Sequence, residues 1–201
     1  SVLEADTALR PSRYGAEKAL DGDIATAWVE GVPGPGTSGT GEAYYLGTAE
    51  IPAALGFHNG YGQSERLFYM NYRVKELAVQ VYAAVHVDVL STEIATPFDA
   101  RPISPKRTID LADTPAAQRV PLPFNRAALR REMDAFQDSP EITEWQFPLA
   151  REHGMTPDLG PTAAFRYIVR TEIVDVYPGS RWEDTCIAEI WPDYGTITSV
   201  A

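Results

Sequence analysis

The feature that most restricts this chain is a two-residue rhythm. In VKELAVQVYA, Leu77, Val79 and Val81 fall on one side and Glu76, Gln80 and Tyr82 on the other. VHVDVL repeats the rhythm with Val85, Val87 and Val89, and AFRYIVRTEIVDVYPG extends it through Phe165, Tyr167, Val169 and Ile173. Side chains alternate across a strand, so these runs describe antiparallel strands with one face on a core and one face wet. AYYLG, AALGFHN, RTIDLAD, QRVPLP and TCIAEIW are shorter runs of the same kind, for about eight strands in all. Helical patterning is sparse. AEKAL suits a single turn near residue 17, and in NRAALRREMDAFQ a capping Asn125 precedes Leu129, Met133 and Phe136 at helical spacing. Strands seldom alternate with helices, which argues against a parallel α/β sheet and for an all-β sandwich. We read residues 1–201 as a single domain and 125–161 as a short helical and irregular excursion between two of its strands.

Charge narrows the partners. Seventeen Lys and Arg face 28 Asp and Glu, a net charge of −11. Nucleic-acid binding draws on basic residues that neutralise phosphates, so none is expected here. Anionic lipid surfaces are disfavoured for the same reason. Neutral sugars and bound cations are compatible with this balance. No apolar run reaches the 18 or so residues needed to span a bilayer, and no membrane insertion is expected. A single cysteine, Cys186, leaves no disulfide to form within the chain.

The stretch ALDGDIATAWVEGVPGPG concentrates turn-forming chemistry. GPGTSG satisfies a glycine pattern used to cradle dinucleotide phosphates, but that use needs a strand before it and a helix after it. Here a second glycine pair follows, and then EAYYLG, which reads as a strand. The stretch is better read as a loop at a sandwich end. Asp-Gly-Asp has two readings. It forms an Asx turn without help. It also suits a hard cation, because calcium takes six to eight oxygens from carboxylates and carbonyls, and Asp21, Asp23 and Thr26 turn several inward at once. The EF-hand frame is absent. Trp28, after this polar loop, is expected to pack beneath it as core.

YGAEKALDGDIATAWVEG, GFHNGYGQSERLFYMNYRVKELAV and IVDVYPGSRWEDTCIAEIW together resemble the discoidin-like, galactose-binding-like (F5/8 type C-like) modules. The nearest group is a bacterial one named for a glycan-binding domain attached to NAD-glycohydrolase-type proteins. The three blocks occur in the same order and cover roughly half the chain. The resemblance implies a jelly-roll β-sandwich and a structural calcium. Carried over by position, Lys18 supplies its backbone carbonyl, Asp21 a carboxylate, Asp23 a carbonyl, Thr26 both its oxygens, and Glu189 a carboxylate from the last strand. Ala188 stands where a serine is usual. This ligand set requires residues 21–26 and residue 189 to be neighbours. Such modules are usually non-catalytic and sit beside an enzyme or a surface anchor. The expected location is extracellular, periplasmic or cell-surface.

Candidate ligand residues fall in two loops that mix aromatic and planar polar groups, as concave binding sites do. One holds His58, Asn59, Tyr61, Gln63, Arg66 and Arg73, with Tyr69 and Asn71 among them. The other holds Tyr177, Arg181 and Trp182, followed by Asp184. Tyrosine-rich loops also cap sandwich ends. Arg73 is suited to pairing with an acidic group beneath the loops, and Asn71 to bonding backbone. The expected partner is a glycan or cell-surface ligand, or a neighbouring protein domain if no sugar site exists. Catalytic patterns are thin: there is no G-x-S-x-G and no H-E-x-x-H. A Cys186–His58 pair is conceivable, but TCIAEI offers a buried, apolar setting rather than the electropositive one a thiolate needs. No enzymatic activity is expected; a hydrolase built on the acidic residues is the remote alternative.

Overall fold

The computed structural model describes residues 13–31, 38–87, 98–143 and 163–195. A 3-10 turn (Ala16–Ala19) leads into β1 (Trp28–Val29), β2 (Ala43–Thr48) and β3 (Ala54–Asn59). Helix α1 (Glu65–Met70) then precedes β4 (Tyr72–Val87), β5 (Asp99–Pro102), β6 (Arg107–Asp110) and β7 (Gln118–Pro121). Helices α2 (Arg126–Gln137) and α3 (Pro140–Thr143) come before β8 (Ala163–Tyr177) and β9 (Thr185–Asp193). Val89, Pro35 and His153 lie outside the described residues.

Two layers face one another. In the first, β2, β8 and β4 are antiparallel neighbours, and β5 and β6 share the other edge of β4. In the second, β9 lies between β1 and β3, and β3 pairs with β7. A two-rung parallel contact, Tyr72–Arg73 against Thr185–Cys186, joins the layers at one corner, so the ladders connect the nine strands of the described residues. Leu46, Leu77, Val79, Val169 and Ile173 from the first layer meet Trp28, Leu55, Phe57, Ile187 and Ile190 from the second. Each is buried, and burying a side chain of this size contributes about 1.5–3 kcal/mol. Leu77, Val79, Val169 and Ile173 are alternating apolar positions of the sequence, and Trp28 packs edge-on to Tyr44 at 5.8 Å between ring centroids.

The differences from the pattern have local causes. The two alternating runs join in one strand, β4, which is described as far as Val87, because no turn residue separates them. Strand β1 is too short to show a period and exists through its ladder, Trp28 to Ile187 and Val29 to Cys186. Helix α1 buries only Phe68, so it leaves no helical rhythm to read; Ser64 caps it by accepting from the Leu67 amide. Asn125 caps α2 through the Ala128 amide at 3.0 Å, and Leu129, Met133 and Phe136 pack on Ile51, Val81, Val85 and Tyr167. His86 is buried beside the Phe98 ring.

One irregularity positions the last strand. His58 faces Glu189, but the next residue, Asn59, faces Ile187, so Ala188 is an extra residue in β9. The bulge lets Ile187 and Ile190 both enter the core. Glu189 consequently shares the outer face of the sheet with its rung partner His58.

Candidate functional site

The Asp21 loop gathers oxygen. Asp21 accepts the Asp23 amide at 3.0 Å and Asp23 accepts the Ala25 amide at 2.9 Å, two successive Asx turns, with Gly22 at φ +76° between them. The Thr26 hydroxyl then lies 3.0 and 2.9 Å from the two Asp21 carboxylate oxygens, 3.0 Å from the Asp23 carbonyl and 3.4 Å from the Lys18 carbonyl. One hydroxyl proton serves only one of these four acceptors at a time.

Glu189 arrives from β9 against the same loop. Desolvation and then the Asp21 carboxyl push its pKa up, while the Gly22 and Asp23 amides pull it back. Its Oε1 is buried without a hydrogen bond among the described residues. Asp21 shows the opposite balance. Against desolvation, the Asp23 amide, the Thr26 hydroxyl and Lys18 hold it below the usual carboxylate range. Lys18 Nζ, at 3.5 Å, is the cation beside the cluster. Among the described residues no three His, Cys, Asp or Glu side chains gather into a metal cluster. The set here is two carboxylates, one hydroxyl and two carbonyls, an all-oxygen donor set that fits calcium.

A second feature lies where the two candidate loops approach each other. A cavity of about 380 Å³ is lined by Tyr61 and Gln63 from the first loop, Trp182 and Asp184 from the second, Asn71 between them, and Arg13, Tyr14, Val29, Leu67 and Cys186. Burial raises the Tyr61 phenol. Desolvation, and then the Glu183 charge, raises Asp184, whose carboxylate makes no hydrogen bond among the described residues. The Arg181 guanidinium sits 4.8 Å over the Trp182 ring, and Arg13 lies 5.4 Å over Tyr14. Cys186 lies at the cavity and is otherwise walled by Ala27 and Val29; desolvation pushes its thiol far up, and Sγ points to the Asp184 carbonyl at 3.6 Å. His58 packs instead on Trp191, with 5.7 Å between ring centroids, so the two do not form a nucleophile–base pair.

Several candidate residues support the loops, and of those that follow Asn71 alone also lines the cavity. Asn59 is buried, donating to the Val74 carbonyl at 2.7 Å and accepting the Val74 and Gly60 amides at 3.0 Å. Buried Arg73 is held by both oxygens of Asp113, at 2.7 and 3.0 Å, and donates to the Asn71 carbonyl at 2.7 Å. Its guanidinium also lies over the Phe68 and Tyr69 rings. Asn71 donates to the Leu67 carbonyl at 2.8 Å, and the Tyr177 hydroxyl to the Leu111 carbonyl at 3.0 Å. Arg66 is exposed and lines neither this cavity nor the cleft at Trp191. Arg13, Tyr14 and Leu67 line the cavity with no motif in the sequence to announce them. Arg13 and Tyr14 lie far from both loops along the chain; the Tyr14 carbonyl accepting the Val29 amide and the packing of Tyr14 on Ala27, Val29 and Cys186 bring them in.

The model of the NAD glycohydrolase translocation F5/8 type C domain family matches residues 1–193. The chain belongs to that family. Comparison with curated proteins and with solved structures gave no match. The nine-stranded, two-layer architecture is that of an F5/8 type C β-sandwich. Among the described residues of this F5/8 type C domain, no helix is long and apolar enough to cross a membrane.

Proposed function

We propose that this domain is a non-catalytic binding module that holds a carbohydrate of a cell-surface or extracellular glycan in the Tyr61–Trp182 cavity. The observation that carries the reading is the meeting of the two loops at one cavity. Tyr61 and Trp182 offer flat faces to the C–H surface of a sugar ring, Val29 and Leu67 exclude water, and Gln63 and Asp184 bond hydroxyls. An ionised aspartate is acceptor-only and takes two adjacent hydroxyls. The family description, which pairs translocation with an NAD glycohydrolase, favours a secreted or surface setting. It also supports a second reading, in which the same fold docks a neighbouring protein.

A calcium ion at the Asp21 loop belongs to this proposal. The Lys18 and Asp23 carbonyls, the Asp21 and Glu189 carboxylates and Thr26 would hold it. Bound there, it neutralises two adjacent carboxylates and ties the entry to β1 to the last strand. An ion that binds only the folded state at a hundred times its Kd stabilises by about 2.7 kcal/mol. For a chain of this size that raises Tm by roughly 5–10 °C. Asp21→Ala abolishes the calcium-dependent shift; equal melting with calcium and with chelator removes the ion from the proposal. A glycan array decides the ligand. Saturable binding lost in Tyr61→Ala and in Trp182→Ala is expected. No glycan bound, with a stable complex formed with another protein, replaces this reading with the docking one.

A further inference from the structure

We propose that the outer face of β9 carries a second saccharide site, separate from the Tyr61–Trp182 cavity and built on Trp191 and His58. The register prepares it: Gly56 faces Trp191 and His58 faces Glu189 across the β3–β9 ladder, and directly opposed residues share a face. Gly56 has no side chain, and the indole takes the space. A Cβ there would stand 2.0–2.3 Å from Cε2, Cζ2 and Nε1 of Trp191. The ring therefore lies over the β3 backbone, and 36% of the residue remains exposed. His58 stands beside it, tilted by 44°. Leu20 and Ile24, both well exposed, complete a cleft of about 390 Å³.

The polar atoms of the cleft point to its occupant. The Trp191 indole N–H and both His58 ring nitrogens make no hydrogen bond among the described residues. An apolar plate rimmed by unmade hydrogen bonds suits a pyranose, which stacks its C–H face on the ring and turns hydroxyls to the rim. The lining also favours a neutral sugar: among the described residues no Lys or Arg lines the cleft, so no basic side chain is there to pair with an anionic one. The cluster of exposed Leu20, Ile24 and Trp191 is the kind of apolar patch that marks a contact surface. Cys186 at the first cavity and Trp191 in this cleft are five residues apart on β9, about 16 Å along the strand. Two sites at that spacing on one strand give avidity for a branched or multivalent glycan.

The test reads each site separately. The four tryptophans give four indole N–H signals in a ¹⁵N-labelled protein. Trp191→Phe and Trp182→Phe each remove one signal and so assign it. Wild-type protein in calcium-containing buffer is titrated with galactose, glucose, mannose and N-acetylglucosamine, and with choline and N-acetylneuraminic acid as charged controls. The expected result is a saturable shift of the Trp191 signal by at least one neutral sugar, unchanged in Tyr61→Ala. In His58→Ala the affinity drops roughly five- to tenfold, the size of one lost hydrogen bond. A Trp191 signal that no neutral sugar moves at millimolar concentration overturns the proposal. So does one that moves only with choline, which makes the occupant a cation. A shift of Trp182 without Trp191 leaves the first cavity standing and removes the second, and the reverse pattern does the opposite.

Discussion

Arg73 ties Asn71, which lines the cavity, to the Pro178 carbonyl, and its partner Asp113 is the place to perturb it. The Arg73 side chain is 5% exposed and that of Asp113 33%. Asp113→Ala removes the acceptors of Nε and Nη2, leaving a buried guanidinium with carbonyls on one side and the Phe68 and Tyr69 rings on the other. Stranding one partner of a fully buried pair costs about 3–5 kcal/mol. Water reaches the Asp113 side of this pair, so the charged hydrogen-bond figure of about 1.5–3 kcal/mol is the better guide, and we expect about 2 kcal/mol. Arg73→Met keeps the apolar stem but abandons the carbonyls of Phe68, Asn71 and Pro178, and we expect about 3 kcal/mol. In a chain of this length Asp113→Ala lowers Tm by roughly 4–8 °C. Urea unfolding followed by tryptophan fluorescence measures both variants, and the double variant isolates the coupling between them. A loss below about 0.5 kcal/mol in Asp113→Ala, the range of ordinary surface changes, refutes the buried-strut account. An Arg73→Met protein of full stability that binds no glycan would return Arg73 to the ligand contacts.

Gly60 has φ +70°, and a Cβ there would stand 2.7 Å from the Phe68 ring and 2.9 Å from Arg73 Cγ. Gly60→Ala therefore combines left-handed strain with overpacking, and about 2–4 kcal/mol of lost stability is expected on denaturant unfolding. Desolvation, with Glu183 second, holds the Asp184 pKa above 3.8. Ligand affinity in the first cavity, measured by titration calorimetry, is expected to fall as pH drops through that raised value, where the acceptor becomes protonated, and Asp184→Asn should flatten the profile. The stability sign is reversed. The fold binds this proton more tightly than the unfolded chain, so the group's contribution improves as pH falls through the folded pKa toward 3.8.

The layers were legible because alternation is a property of each strand alone. Val79, Val81, Val169 and Ile173 announce the core without help from any neighbour. The polar loops carried less information. Asn59, Tyr61, Arg73 and Trp182 share a composition, and composition cannot distinguish a residue that faces the cavity from one that braces it. The difference lies in tertiary partners. Asp113 is forty positions from Arg73, Val74 is fifteen from Asn59, and the Leu111 carbonyl is sixty-six from Tyr177. Trp191 was hidden for another reason. With Ile187 inward, unbroken alternation would put Trp191 inward as well; the extra residue Ala188 turns it out, over Gly56.

Ala188 has a consequence for how the final strand tolerates a change of length. Without it, Ile187, Glu189 and Ile190 would be consecutive and would alternate inward, outward and inward on the rungs they already occupy, opposite Asn59, His58 and Phe57. A deletion at this position irons out the kink and keeps the partners. A deletion at Ile190 has no such slack: it would carry Trp191 inward against Phe57 and turn the following residues over. The strand holds one spare position, and only there can it be shortened without changing which side chains meet the interior.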